Sequence, residues 1–169
     1  IPDIFTITNQ KQFEKIALKI FRFQYENNLV YREFCDFLKT DIQKVKTLEQ
    51  IPFLPIQFFK SHAVVSNENP IQETFTSSGT TSPLAPKGGK SDEKSAPITS
   101  KHLVTDVSLY EQSYRLAFSE FYGNIEDYVV LALLPSYLER SGSSLIYMVQ
   151  DLIALSNNEH SGFYLHNYD

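Results

Sequence analysis

Between Ser82 and Thr99 the chain reads S-P-L-A-P-K-G-G-K-S-D-E-K-S-A-P-I-T, with three prolines, two glycines, three lysines and no aromatic residue. Elsewhere the chain is dense in aromatics, carrying 13 Phe and 10 Tyr, so the change of character is abrupt. A segment of this kind cannot bury enough apolar surface to offset the entropy of ordering it. Connections of this length are uncommon inside compact domains, where they are either functional or disordered. The segment is therefore expected to be a mobile insertion, 82–99, and the core has to come from the blocks on either side.

The chain of 169 residues is long enough for one domain with a real core. Its 42% hydrophobic and 21% charged content is that of an ordinary globular protein. The net charge of -5 argues against a general nucleic-acid or anionic-membrane binder. A single cysteine, Cys35, excludes an internal disulfide and a clustered-cysteine zinc site. It lies in the helical stripe Y-R-E-F-C-D-F-L, which reads as a buried structural thiol. The opening I-P-D-I-F-T-I-T has no basic n-region and no long apolar run, so no signal peptide is expected. The most apolar run, Val129–Leu134, is too short for a membrane span. Together these imply a cytoplasmic location.

Residues 9–28 predict a first helix, with Phe13, Ile16, Ala17, Ile20 and Phe21 at helical spacing and Asn9 with Gln12 as a capping box. A shorter helix is expected over Val30–Leu38, with Phe34, Phe37 and Leu38 on one side, and a short helix or turn over Thr40–Gln50. Pro52 and Pro55 require an extended Ile51–Pro55, after which Pro55 opens a helical turn carrying Phe58 and Phe59. That corner, with Phe53, Leu54, Phe58 and Phe59, reads as core; the alternative is a lining for an acyl site or a support for the loop that follows. Ala63–Ser66 predicts a short strand. Beyond the insertion, Ser100–Tyr122 predicts a helix with a stripe of Val107, Tyr110, Tyr114, Ala117, Phe118 and Phe121, capped by Ser100 or Thr105 and ended by Gly123. Tyr128–Leu134 has the continuous apolar run of a buried parallel strand, stopped by Pro135. Small residues Ser141–Ser144 then lead a helix over Leu145–Leu155, with Leu145, Val149, Leu152 and Ile153 inward, and Gly162–Leu165 predicts a last strand.

The expected class is α/β, a mostly parallel sheet flanked by helices with a helical N-terminal piece. The parts are a helical front, 1–50; strands and a loop, 51–81; the insertion, 82–99; and a helix-strand-helix-strand tail, 100–169. Within that frame E-T-F-T-S-S-G-T-T-S, Glu73–Ser82, stands out. A short β-prone lead runs into Ser77, Ser78, Gly79, Thr80 and Thr81, four hydroxyls around one glycine. That composition suits a loop whose N–H and O–H donors converge on an anion; the competing reading is a solvated Ser/Thr turn. Strand, proline, small-residue turn and helix at 128–155 make a ligand-binding edge in open α/β sheets. Gly89-Lys90-Ser91 fails as a Walker loop because Leu84 stands where its first glycine is required. The sequence has no G-x-S-x-G elbow, H-E-x-x-H helix or EF-hand loop, and its four histidines lack metal-ligand spacing.

S-S-G-T-T after a short strand resembles the phosphate loop of the adenylate-forming superfamily, which includes acyl-CoA synthetases, luciferases and peptide-synthetase adenylation domains. I-P-F-L-P-I-Q-F-F-K-S-H at Ile51–His62, S-K-H at Ser100–His102 and L-A-L-L-P-S-Y-L-E-R-S-G-S-S-L-I-Y-M at Leu131–Met148 narrow the resemblance. In that order they are similar to acyl-protein synthetases of the bacterial luminescence type. The resemblance implies a partial N-terminal domain of a fatty-acid-activating ligase that uses ATP and Mg²⁺ and hands the acyl group to a protein or thiol. Ser77, Ser78, Gly79, Thr80 and Thr81 would hold phosphates; Leu133, Pro135, Ser136, Gly142, Ser143 and Ser144 would border a fatty acid or other small carboxylate. An acyl-accepting protein or reductase would be the partner.

Two departures temper the resemblance. Ser82 replaces the glycine expected after T-T, and the insertion separates Thr81 from Ser100; an alternative alignment through Pro86-Lys87-Gly88 needs extra residues before the lysine. The superfamily's adenine, ribose and magnesium ligands, its catalytic lysine and the luminescence enzymes' acyl-accepting cysteine all fall beyond Asp169, and Cys35 lies in the wrong half for that last role. The expectation is therefore a shortened, catalytically incomplete ligase. The alternatives are a non-catalytic nucleotide- or acyl-binding module and an inactive remnant.

Overall fold

The computed structural model describes residues 2–77, 99–135 and 141–165, with only the backbone of Pro2 and Asp3. Ser78, Gly79, Thr80, Thr81 and Ser136, and all of the expected insertion but Thr99, lie outside the described residues. The chain divides into two compact units, Ile1–Pro70 and Ile71–Asp169.

The first unit is helical. After a 3-10 turn, Pro2–Thr6, helix α1 runs over Gln10–Asn27. Its cap is the predicted Asn9, whose Oδ1 accepts from the Gln12 N–H at 3.0 Å. Gln12 returns the bond one residue earlier than a standard capping box, accepting from the Thr8 N–H at 2.8 Å and the Thr8 hydroxyl at 2.9 Å. Buried Asn28 then serves two helices: its N–H donates to the Gln24 carbonyl, and its Oδ1 caps α2, Leu29–Phe37, at the Tyr31 N–H. The helices pack through Phe21, Tyr31, Cys35 and Val45, with Leu18, Phe34, Ile51 and Leu54 around them. The Tyr31 hydroxyl donates to the Pro52 carbonyl at 2.6 Å and so ties the proline corner to that core.

Ile51 is extended, residues 52–55 lie in no helix or strand, and Pro55 opens the turn of α3, Phe58–Ser61. Three expectations here need correction. Ala63–Ser66 forms no strand. Phe37 and Leu38 are exposed, because α2 turns Tyr31 and Cys35 inward instead. Phe53 is 77% exposed, and its neighbour Leu54 packs against the core instead. Cys35 is completely buried, and burial pushes its thiol up. It should therefore resist a thiol reagent in the folded protein and react fully once denaturant is added; rapid labelling under native conditions would contradict this packing.

The second unit holds two small sheets and two long helices. Strand β1, Glu73–Thr76, pairs antiparallel with β2, Lys101–Val104, with Glu73 opposite Val104 and Thr76 opposite Lys101. Helix α4 covers Val107–Tyr122. The single helix expected over 100–122 is thus a strand followed by a helix: Asp106 caps α4 by accepting from the Ser108 N–H, and neither Ser100 nor Thr105 does. Gly123 ends α4 with a φ of 88°. Strand β3, Leu131–Ala132, pairs parallel with β4, Gly162–Phe163, and α5, Ser144–Leu155, connects them. Of the continuous strand expected over 128–134 only Leu131–Ala132 pairs; Ala132 is buried, while Val129, Leu131 and Leu133 are exposed. Phe121 is exposed as well, and on α5 Ile146 takes the buried place expected for Leu145. The architecture is mixed α/β. The described strands form one antiparallel and one parallel pair rather than a mostly parallel sheet. No helix among the described residues is long and apolar enough to cross a membrane.

Candidate functional site

Strand β1 delivers the Ser/Thr-rich stretch, and both its edges are engaged. Toward β2, the Ser77 N–H donates to the Ser100 carbonyl at 3.0 Å, and the Ser100 N–H donates to Ser77 Oγ at 3.0 Å. The two serines thus extend the β1–β2 pairing by one residue on each strand. The backbone donor of Ser77 is thereby used, and among the described residues its hydroxyl acts only as an acceptor.

On its other edge the Thr74 N–H donates to Glu73 Oε1, and the Thr76 N–H donates to the Gly142 carbonyl at 2.7 Å. Gly142 has a φ of 78°, a conformation glycine adopts without a steric penalty. A Cβ there would stand 3.3 Å from Thr76 Oγ1 and 3.5 Å from the Thr74 carbonyl oxygen. Ser143 follows as the cap of α5, its Oγ accepting from the Ile146 N–H. The N-terminal end of α5, where the helix dipole favours negative charge, is thus fastened beside the exit of β1.

The unit β3–α5–β4 brings in the third piece. In a parallel strand–helix–strand connection the helix runs back against the strands, so its N-terminus lies at their C-terminal ends. Leu133 and Pro135 leave β3 at that end; Leu133 is 73% exposed and Pro135 half-buried. Of the residues expected at a site, the structure joins Ser77, Gly142, Ser143 and Ser144 through the Thr76 bond. It places Leu133 and Pro135 on the same edge by topology, with no described bond to β1.

A layer of aromatic and charged side chains, of which only Tyr110 and Tyr114 stand in a helical stripe of the sequence, supports this edge. Buried Phe75 lies 5.1 Å from the Tyr110 ring and 5.6 Å from the Tyr147 ring. The Tyr110 hydroxyl donates to the Ser144 carbonyl at 2.9 Å, and the Tyr147 hydroxyl donates to Glu111 at 2.7 Å. Arg115 grips Asp151 with two bonds, at 2.7 and 2.8 Å, and the Tyr114 hydroxyl donates to the same carboxylate at 2.7 Å. Burial raises Tyr110, burial and the Asp151 bond raise Tyr114, and the Glu111 bond followed by burial pushes Tyr147 up to about 12. All three phenols therefore remain O–H donors at neutral pH. The signal for this layer was present as Tyr110 and Tyr114 in one stripe, but their partners are more than 30 residues away.

A small cavity lined by Arg115, Phe118, Gly123, Ile125, Leu152 and Leu155 lies toward the other end of α5 and does not belong to this edge. Among the described residues no group of three or more His, Cys, Asp or Glu is arranged to hold a metal ion.

Comparison with known proteins adds three findings. The family described as acyl-protein synthetase, LuxE, matches residues 5–107. A long-chain-fatty-acid–luciferin-component ligase of Photorhabdus luminescens is 38% identical over 72 residues, which are 42% of this chain and 61% of that protein. The ligase of the same name from Vibrio harveyi is 32% identical over 81 residues, 47% of this chain and 21% of that protein. The chain thus spans less than two thirds of the length of either relative. No solved structure matches.

Proposed function

The chain belongs to the acyl-protein synthetase (LuxE) family, and from that premise we propose that it carries the phosphate-handling strand and acyl-facing turn of an ATP-dependent fatty-acid ligase. The observation that carries the reading is the Thr76 N–H to Gly142 carbonyl bond at 2.7 Å, which sets Thr76, the residue before S-S-G-T-T in the sequence, beside the N-terminal end of α5. Both relatives are named as ligases of long-chain fatty acids, which supports a carboxylate as the substrate class.

In the proposed reaction a fatty-acid carboxylate attacks the α-phosphorus of ATP, giving an acyl-adenylate and releasing pyrophosphate. A thiol or other nucleophile of an acceptor protein then takes the acyl carbonyl, and AMP leaves. Negative charge builds on the departing pyrophosphate, so fixed N–H and O–H donors stabilise the transition state more than the ground state. Ser77, Ser78, Gly79, Thr80 and Thr81 are the proposed donors. Leu133, Pro135, Ser136, Ser143 and Ser144, with Gly142 between them, are the proposed border of the acyl group. The described residues offer no cage for Mg²⁺, so none is assigned to it and no step is drawn through it.

Titration of the isotope-labelled chain with ATP tests this reading. The amides of Ser77, Ser100 and Gly142 should shift together, and Gly79→Val should abolish the response. Shifts confined to other regions, with these three unmoved, would reject the phosphate assignment.

A further inference from the structure

Gly142 was expected to border the acyl group, yet its geometry is directed at the protein itself. Its carbonyl is bonded to the Thr76 N–H at 2.7 Å and lies 3.5 Å from Thr76 Oγ1. Its backbone is left-handed, with a φ of 78°. The position a Cβ would take is tight against Thr76 Oγ1 at 3.3 Å and in ordinary contact with the Thr74 carbonyl oxygen at 3.5 Å. Two residues on, the Ser144 carbonyl accepts from the Tyr110 hydroxyl, whose ring packs on Phe75 of the same strand. One bond alone would leave the turn free to pivot about it. Two bonded carbonyls, both traced back to β1, fix its direction as well as its distance.

We infer that Gly142 is a positioning residue that latches the N-terminal turn of α5 to the exit of β1, with the Tyr110–Ser144 bond as the second point of the latch. This rests on the phosphate reading above and deepens it: Gly142 acts through Thr76, holding the end of β1 beside the helix N-terminus. Substitution at Gly142 forces a residue with a side chain into a left-handed backbone and presses its Cβ on Thr76 Oγ1, which strains the turn against the strand.

The test uses the full chain with pyrophosphate as the probe, reading three quantities: pyrophosphate affinity, hydrogen exchange of the Thr76 amide, and exchange of the Leu152 amide as a control on the fold. In Gly142→Ala the Thr76 amide should exchange about tenfold faster and pyrophosphate should bind about tenfold more weakly, with Leu152 unchanged. Gly142→Asn should recover part of the loss, because asparagine tolerates the left-handed region better. Tyr110→Phe keeps the ring and should weaken binding by about threefold. Loss of Thr76 protection with unchanged pyrophosphate affinity overturns the latch and leaves the phosphate reading standing. Absence of pyrophosphate binding by the wild-type chain is a different result, which rejects the phosphate reading and the latch with it. If Leu152 also loses protection in Gly142→Ala, Tyr110→Phe decides, and unchanged affinity there overturns the proposal.

Discussion

Phe75→Ala should lower the unfolding free energy of the Ile71–Asp169 unit by about 3–5 kcal/mol. Phe75 is 5% exposed and is the strand's contribution to the ring cluster formed with Tyr110 and Tyr147. Truncation removes its apolar contacts and leaves a hole that the two remaining rigid rings cannot close. Strand β1 has only four residues and, among the described residues, one paired partner strand, so its side-chain packing carries much of its attachment. The chain lacks Trp, so urea unfolding can be followed by tyrosine fluorescence and far-UV dichroism. Phe75→Leu, which keeps much of the volume, should cost about 1.5 kcal/mol. The loss should reach function too, because a detached β1 carries Thr76 away from Gly142 and should erase the ATP response. An Ala variant destabilised by less than about 1 kcal/mol would show that the cluster is not the core of this unit.

Legibility in the sequence tracked how local the deciding interaction was. Helix α1 was readable because its cap, Asn9 with Gln12, and its apolar spacing lie in one stretch of chain. The proline corner was readable because Pro52 and Pro55 restrict the backbone wherever they stand. Strand β2 was missed because Lys101–Val104 becomes a strand only by pairing with Glu73–Thr76, across an intervening segment that local propensity does not see. The caps considered, Ser100 and Thr105, are as favourable in type as Asp106, and pairing of the residues before it decided among them. At β3 the apolar run suggested burial on both faces, but such a run does not say whether a neighbour covers each face, and here Leu131 and Leu133 have none among the described residues. The site shows the same division. The small residues 141–144 marked a turn before a helix, while their attachment to Thr76 and Tyr110 needed three dimensions.

The pairing of Asp151 with Arg115 and Tyr114 sets the second large effect. Asp151→Ala leaves a guanidinium and a phenol facing the helix interface without their carboxylate; Glu111, 3.2 Å from Arg115, replaces only part of it. Removing one partner of a buried pair costs about 3–5 kcal/mol. Here the Arg115 side chain is 40% exposed and that of Asp151 20%, so solvent screening reduces the expected loss to about 2 kcal/mol. Acid should remove the same contribution in the wild type. Burial acts to raise the Asp151 carboxyl, but the bonds from Arg115 and Tyr114 outweigh it and hold the group below its ordinary value. The folded state therefore binds this proton less readily than the unfolded chain. The stabilisation is complete above the unfolded carboxylate value of about 4 and drains away as pH falls through the lower folded value. Urea midpoints measured from neutral pH down to about pH 3 should fall more steeply for the wild type than for Asp151→Asn, which has no proton to take up. Parallel pH profiles for the two proteins would mean that the clip between α4 and α5 contributes nothing through its charge. The placement of α5 against β1 would then rest on the aromatic layer and on the Thr76–Gly142 and Tyr110–Ser144 bonds.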